Sequence, residues 1–430
     1  MELFHLRRIK ITDITLSNRN AVENGTLYVN EAELRAMLLE DRHLKDVKIE
    51  IARPGESVRI VPVKDILEPR SRLNDDEESF IGTITDANYQ AGTGTSIVMD
   101  GACVVTSGNM VNFQEGLIDM SDLGAEFNLF SKKCNLVLVM EPAEGITKPE
   151  HERAVRLAGV RAARYIGNIG RGVKEFKDVT YPVYTLEERL EKFAKLPKVV
   201  YVCQAIAEGL LHDNYFYGVN AQGCLPMLCN PTELMDGAVI SGNCAAPCHK
   251  HTTYHHQNNP LIEDLLDEDG KTVNLMGVIV APVKTAFAEK ERIARQILKT
   301  AQMLGATAAI VSEDGGGSPE ADLMMAARYF EKVGIKTVLV TDEYAGSDGA
   351  SAGLADITPE ADAVVTNGNG NQRVVLPPMD RVIGVIDAVD HITGGHAGSL
   401  RPDGSIDMEI AGIMGSTNEL GIENLKTVAI

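Results

Sequence analysis

Val273–Pro282 (VNLMGVIVAP), Thr307–Glu313 (TAAIVSE) and Lys336–Asp342 (KTVLVTD) are three short apolar runs that decide the fold. Between the first two, Ile293, Ile297, Ala301 and Leu304 recur at helical spacing and Gly305 follows them. Between the second and third, a helix-like stretch runs to Val333 and Gly334 closes it. Strand, helix, glycine stop and strand, twice over, predicts parallel βαβ units: a glycine ends each helix, and strands without polar alternation are covered on both faces. Two more apolar segments, ADAVVT (361–366) and RVIGVID (381–387), are expected to extend that sheet. Residues 244–430 are therefore predicted to form a mostly parallel, Rossmann-like α/β domain.

Working toward the N-terminus, NLVLVM (135–140) and KVVYVCQA (198–205) are again buried-strand patterns, with Val155, Ala158, Ala162 and Tyr165 marking a helix between them. This predicts a second α/β region over 80–243. Residues 1–75 differ. LRRIKITDI, a turn at Glu23-Asn24-Gly25, TLYVN, a helix from Glu31 capped by Asn30, then VKIEIA and SVRIVPVKDI across the Pro54-Gly55 turn predict a small β-rich module. Arg70–Ser79 (RSRLNDDEES), a charge run without apolar periodicity, is expected to be the linker.

The chain has 430 residues, enough for two or three domains at roughly 150 each, with 44% hydrophobic and 24% charged residues, a globular composition. No apolar run approaches the roughly 18 residues of a membrane span, and the opening MELFHLRRIKITDI lacks the apolar core of a secretory signal. Seven cysteines without paired spacing add to a cytoplasmic expectation. Net charge is −20, and both 1–243 (−8) and 244–430 (−12) are acidic. A nucleic-acid binder needs a basic face, and a chain with no tryptophan and 5% aromatics offers little for base stacking. A metabolic enzyme or enzyme subunit remains.

Between the two α/β regions lies Ser241–Pro260, SGNCAAPCHKHTTYHHQNNP, where four of the ten histidines fall within the eight residues 249–256. Three chemistries compete with plain packing for this cluster. Cys244, Cys248, His249, His251, His255 and His256 are zinc-type donors, yet all sit in one short segment, whereas structural sites draw ligands from two separated elements. No metal ligand is assigned on that spacing. A cysteine beside imidazoles is a candidate nucleophile, its thiol lowered toward thiolate. Finally, Gly242-Asn243-Cys244 places a thiol after a glycine-flexed peptide. Attack on the preceding carbonyl gives a thioester that eliminates to dehydroalanine and hydrolyses to a pyruvoyl group, with a nearby histidine as base.

Elsewhere, Asp314-Gly-Gly-Gly-Ser-Pro319 follows a strand and opens a helix, with Ser318 expected as N-cap and Pro319 at the first helical position. Amides of Gly315, Gly316, Gly317 and Ser318 could hold a substrate carboxylate or phosphate, or the loop is simply a tight turn. It is not GxGxxG, so no dinucleotide cofactor is predicted. Cys203 lies in an apolar strand and reads as core. Residues 201–243 contain no lysine or arginine, and are expected to pack against the other half or a partner subunit.

GNCAAPCHKHTTYHHQNNP, the chain length and the flanking α/β halves together resemble the pro-protein subunit of component B of glycine, sarcosine or betaine reductase. The resemblance implies cleavage between Asn243 and Cys244, with Cys244 becoming a covalent pyruvoyl group and Cys248, His249, His251, His255 and His256 serving the site. It also implies reductive cleavage of a C–N bond α to a carboxylate: the carbonyl condenses with the substrate amine, and a selenolate attacks the α-carbon. Betaine nitrogen is quaternary and cannot condense in this way. The selenol belongs to a separate selenocysteine-containing component B subunit, which hands a carboxymethyl selenoether to a small selenoprotein, so a hetero-oligomer is implied. A non-catalytic zinc-binding scaffold using the cluster at 244–256 is the competing expectation.

Overall fold

The computed structural model describes residues 2–73, 91–208, 214–242 and 245–420. Asn243, Cys244 and the 74–79 part of the expected linker lie outside these residues.

The largest sheet has six strands: β1 (Lys198–Ile206), β2 (Met227–Cys229), β3 (Asn274–Val283), β4 (Ala308–Glu313), β5 (Lys336–Glu343) and β6 (Val364–Asn369), in the spatial order β2-β3-β1-β4-β5-β6. All neighbours are parallel except the short edge strand β2. Both faces are covered, as a parallel sheet requires. Val200 and Val202 of β1 point to one face, where Ile293, Ile297 and Ala301 of α4 (Phe287–Met303) and Leu323, Ala327 and Phe330 of α5 (Ser318–Glu331) cover them. Val199, Tyr201 and Cys203 alternate to the other face, against Ile262 and Leu265 of α3 (Pro260–Glu268) and Phe4 and Leu6 of the N-terminal strand. The helices end where the glycines stand, with Gly305 and Gly334 at positive φ.

Three expectations are corrected here. The sheet is not confined to 244–430, because β1, from the preceding region, sits at its centre between β3 and β4. Its five parallel strands run 2-1-3-4-5 in chain order, a doubly wound arrangement other than the Rossmann order 3-2-1-4-5-6. ADAVVT does contribute β6, but RVIGVID does not join the sheet: Arg381–Gly384 pairs in parallel with Val58–Val63 instead.

Strand pairing also crosses the expected boundary at 75–80. Glu2–Lys10 lies between Gly94–Asp100 and Lys177–Val183, and Leu44–Ala52 pairs with Cys134–Pro142. The long helix α1 (Lys148–Ile169) buries Val155, Ala158 and Ala162 in the core these strands share, and Thr147 caps its start. Arg70–Arg72 is a buried strand, not a linker. Its charges face partners inside the fold: Arg70 donates to Glu68 at 2.6 Å and to Asn258 Oδ1 at 2.8 Å, and Arg72 pairs with Asp236. Among the described residues no helix is long and apolar enough to cross a membrane.

Candidate active site at the carboxyl end of the central strands

The direction of chain progression reverses between β1 and β4, and at such a switch point the loops leaving the carboxyl ends part to form a crevice. Asp314 follows β4 here and gathers three amides. Its Oδ1 accepts from the His251 backbone N–H at 2.9 Å; its Oδ2 accepts from Ile206 N–H at 3.2 Å and Asn214 Nδ2 at 3.0 Å. Asn214 passes the connection on, its Oδ1 accepting from Gly242 N–H at 3.1 Å. The backbone immediately before Asn243 is thereby tied to the acid that opens the glycine loop.

A second buried acid fixes the histidine segment. Asp65 accepts from the Thr253 backbone N–H at 3.0 Å and hydroxyl at 2.6 Å, while that hydroxyl accepts from Ser241 N–H at 3.1 Å. Thr252 then caps the short helix α2 (Thr253–Gln257), bonded to His255 Nδ1 at 2.8 Å. Asn418 Nδ2 donates to the Lys250 carbonyl at 2.8 Å, and Gly415 N–H donates to that of Pro247 at 2.9 Å. His249, His251, His255 and His256 are all buried by this packing, at 2% exposure or less.

Of the four, His249 borders open space. A cavity of about 380 Å³ is lined by Ala245, Ala246, His249 and Gly315–Gly317, with Tyr344 and Glu320 on its wall. Ala245 is the residue after Cys244 in sequence. The His249 ring stacks on Tyr344 at 4.6 Å between centroids, its Nδ1 contacts Asp342, and its Nε2 has no hydrogen-bond partner. Burial alone would lower the His249 pKa, but the Asp342 carboxylate outweighs it and holds the imidazole protonated well above its ordinary value. Asp342 is itself anchored by the Thr417 hydroxyl at 2.8 Å. Gly316 makes this packing possible: a Cβ there would stand 2.8 Å from His249 Cε1.

Cys248, His251, His255 and His256 lie behind this wall. Cys248 Sγ is 3.3 Å from the Tyr344 hydroxyl, and its N–H donates to Ala411. His251 Nε2 contacts Glu419, whose carboxyl burial pushes up to about 7. Burial lowers His251 too, yet the charge of Glu419 prevails and raises it well above its ordinary value. Desolvation pushes His255 and His256 down to about 3, leaving both neutral. His255 sits edge-on to Phe130 at 5.6 Å, and His256 edge-on to His251 at 5.5 Å.

Ser318 is not the N-cap. The helix begins at Ser318, and Gly317, at φ 78°, occupies the cap position. Glu320 Oε1 accepts from the Gly317 N–H at 2.9 Å and its other oxygen from Ala355 N–H. One amide expected to hold an anion is thus already satisfied by a carboxylate. Asp314, Asn214, Asp342, Tyr344 and Glu419 were not singled out in the sequence. Asp342 and Asp314 carried a signal, since each stands at the carboxyl end of an expected strand. Asn214 and Glu419 carried none, being 28 and 168 residues from their partners Gly242 and His251.

Residues 1–428 match the family described as glycine/sarcosine/betaine reductase component B subunits. The chain is 46% identical over 419 residues to the glycine reductase complex component B subunits alpha and beta of Acetoanaerobium sticklandii, covering 97% of each chain. It is 43% identical to a sarcosine reductase complex component B subunit alpha of Peptoclostridium acidaminophilum, covering 98% of each. To the betaine reductase complex component B subunit alpha of the same organism it is 35% identical, covering 93% of each. No solved structure matches.

Proposed function

The chain belongs to the family of glycine/sarcosine/betaine reductase component B subunits, and from that premise we propose that it is the self-cleaved, pyruvoyl-bearing subunit of an amino-acid or betaine reductase. The observation that carries the reading is the shared cavity. The residue following Cys244, the glycine loop and one protonatable imidazole border one space at the switch point of the sheet. The name of the Acetoanaerobium sticklandii relative, two subunits for a sequence this chain covers to 97%, supports cleavage of one precursor into two chains.

The Cys244 thiol adds to the Asn243 carbonyl and the peptide C–N bond breaks, leaving a thioester and a free amine. β-Elimination expels the 1–243 chain as a thiocarboxylate and leaves dehydroalanine. One water releases ammonia to give the pyruvoyl chain 244–430, and a second converts the thiocarboxylate to carboxylate and hydrogen sulfide. His249, with Asp342 behind it, is the proton carrier of the first step. Gly242, held through Asn214 to Asp314, fixes the backbone before the scissile bond. Cys248 and Tyr344 position His249 from behind, and His255 packs the segment. The pyruvoyl carbonyl supplies an electron sink beside a substrate C–N bond.

A selenocysteine-containing component B subunit and a small selenoprotein carrier complete the reading. Burial raises the thiols of Cys103, Cys134, Cys224 and Cys229, which makes these four poor nucleophiles at neutral pH. The hetero-oligomer acts in the cytoplasm on glycine, sarcosine or betaine. Borohydride trapping on native protein tests the function. Reduction with and without glycine or sarcosine is expected to fix the amine to the 244–430 chain, and a chain that takes up neither hydride nor amine refutes the reading.

A further inference from the structure

By sequence the cysteines and histidines of 244–256 all lie in one short segment, unlike the split ligand sets of structural metal sites. The fold removes that objection, because β1 brings Cys203, 48 residues before His251, to the inner side of the histidine segment. The Cys203 thiol, a His251 nitrogen and a His256 nitrogen all lie within 4.8 Å of one another, and all three residues are fully buried. Both ring nitrogens of His256 have no hydrogen-bond partner there, and His251 Nδ1 has none of good geometry, with only the Cys203 thiol beside it. Buried polar atoms left unpaired cost about 1–3 kcal/mol each, so a cluster of them calls for an occupant.

The other nitrogen of His251 contacts the Glu419 carboxylate. A carboxylate on the far side of an imidazole is what orients a metal-ligating histidine and sets its tautomer. Zinc–nitrogen bonds of about 2.0–2.1 Å and zinc–sulfur bonds of about 2.3 Å put tetrahedral donors about 3.3–3.7 Å apart, so donors that already lie within 4.8 Å of one another would need to close by at most about 1.5 Å. The neighbouring group of Cys248, His249 and Asp342 is different, since Cys248 pairs with Tyr344 and Asp342 with Thr417, and it borders the cavity already assigned.

We propose that Cys203, His251 and His256 form a buried site for a thiophilic divalent cation of the zinc class, with one thiolate, two imidazoles and a fourth position left for water or another ligand. Its role is to brace the histidine segment against β1. This goes beyond the reductase reading and does not depend on it, because processing is read by mass and metal by spectroscopy.

The test is titration of metal-stripped full-length protein with Co²⁺, then competition with Zn²⁺. One equivalent of Co²⁺ is expected to bind, with the absorption of a tetrahedral site and a thiolate-to-metal charge-transfer band that Zn²⁺ abolishes. Cys203→Ser is expected to remove the charge-transfer band, Cys248→Ser to retain it, and Glu419→Gln to weaken binding about 10- to 100-fold. Should Cys203→Ser fail to fold, X-ray absorption of the wild-type complex decides, with one sulfur and two imidazoles expected. Absence of Co²⁺ binding by folded wild-type protein overturns the proposal, as does a charge-transfer band that survives Cys203→Ser.

Discussion

At His249 two opposing forces act on one imidazole: burial disfavours its charge, and the Asp342 carboxylate favours it and wins. Removing the carboxylate reverses the outcome. Asp342→Asn is expected to leave a neutral imidazole free to rotate, and to slow processing about 10²- to 10⁴-fold, the usual worth of a positioned proton carrier, as followed by denaturing gel against time. Gly316→Ala tests position alone, since its Cβ would stand 2.8 Å from the ring and force it to shift. Processing slower by about 10²-fold is expected, with the thermal unfolding midpoint lowered by only a few degrees, since overpacking of this kind costs about 1–3 kcal/mol. A variant that processes at the normal rate would remove His249 from the mechanism. Cys244→Ala should give one uncleaved chain and no carbonyl, and Cys244→Ser should cleave slowly, because oxygen is a poorer leaving group than sulfur.

Elements were legible where one face or both faces of a segment were uniformly apolar. The helix holding Val155, Ala158 and Ala162 and the three strands quoted at the outset all form where periodicity places them. Arg70–Arg72 was misread because charge in a sequence signals solvent only when it has no internal partner, and Asp236 and Asn258, which receive Arg72 and Arg70, come from elsewhere in the fold. Placement of RVIGVID with Val58–Val63 was likewise invisible, since strand identity is local and strand pairing is not. In the site, the cluster was legible as composition, and its division between a cavity wall and a buried interior was not. Helix α1 carries a prediction at this scale. Burial pushes His151 down to about 4, so its neutral form is favoured in the folded protein. The stability this contributes is complete above the unfolded value near 6.5 and is lost as pH falls through 4. Urea midpoints should drop over that interval, and His151→Gln should flatten the drop.

For the whole molecule, the decisive fact is that β1 belongs to 1–243 and lies between β3 and β4 of 244–430, while Arg381–Gly384 returns to pair with Val58–Val63. The proposed cleavage after Asn243 would therefore separate the chain covalently without dividing the fold. The two fragments are expected to co-elute as one species on gel filtration in native buffer and to part only in denaturant; separation without denaturant would mean that the strand pairing described here is wrong. The claim on which the rest depends is the conversion of Cys244, and intact-mass spectrometry of protein purified from its native host tests it most directly. The account predicts two masses, one for residues 1–243 and one for residues 244–430 with the cysteine replaced by a pyruvoyl group, the second blocked to Edman degradation. A single full-length chain that retains reductase activity with its partners would contradict it.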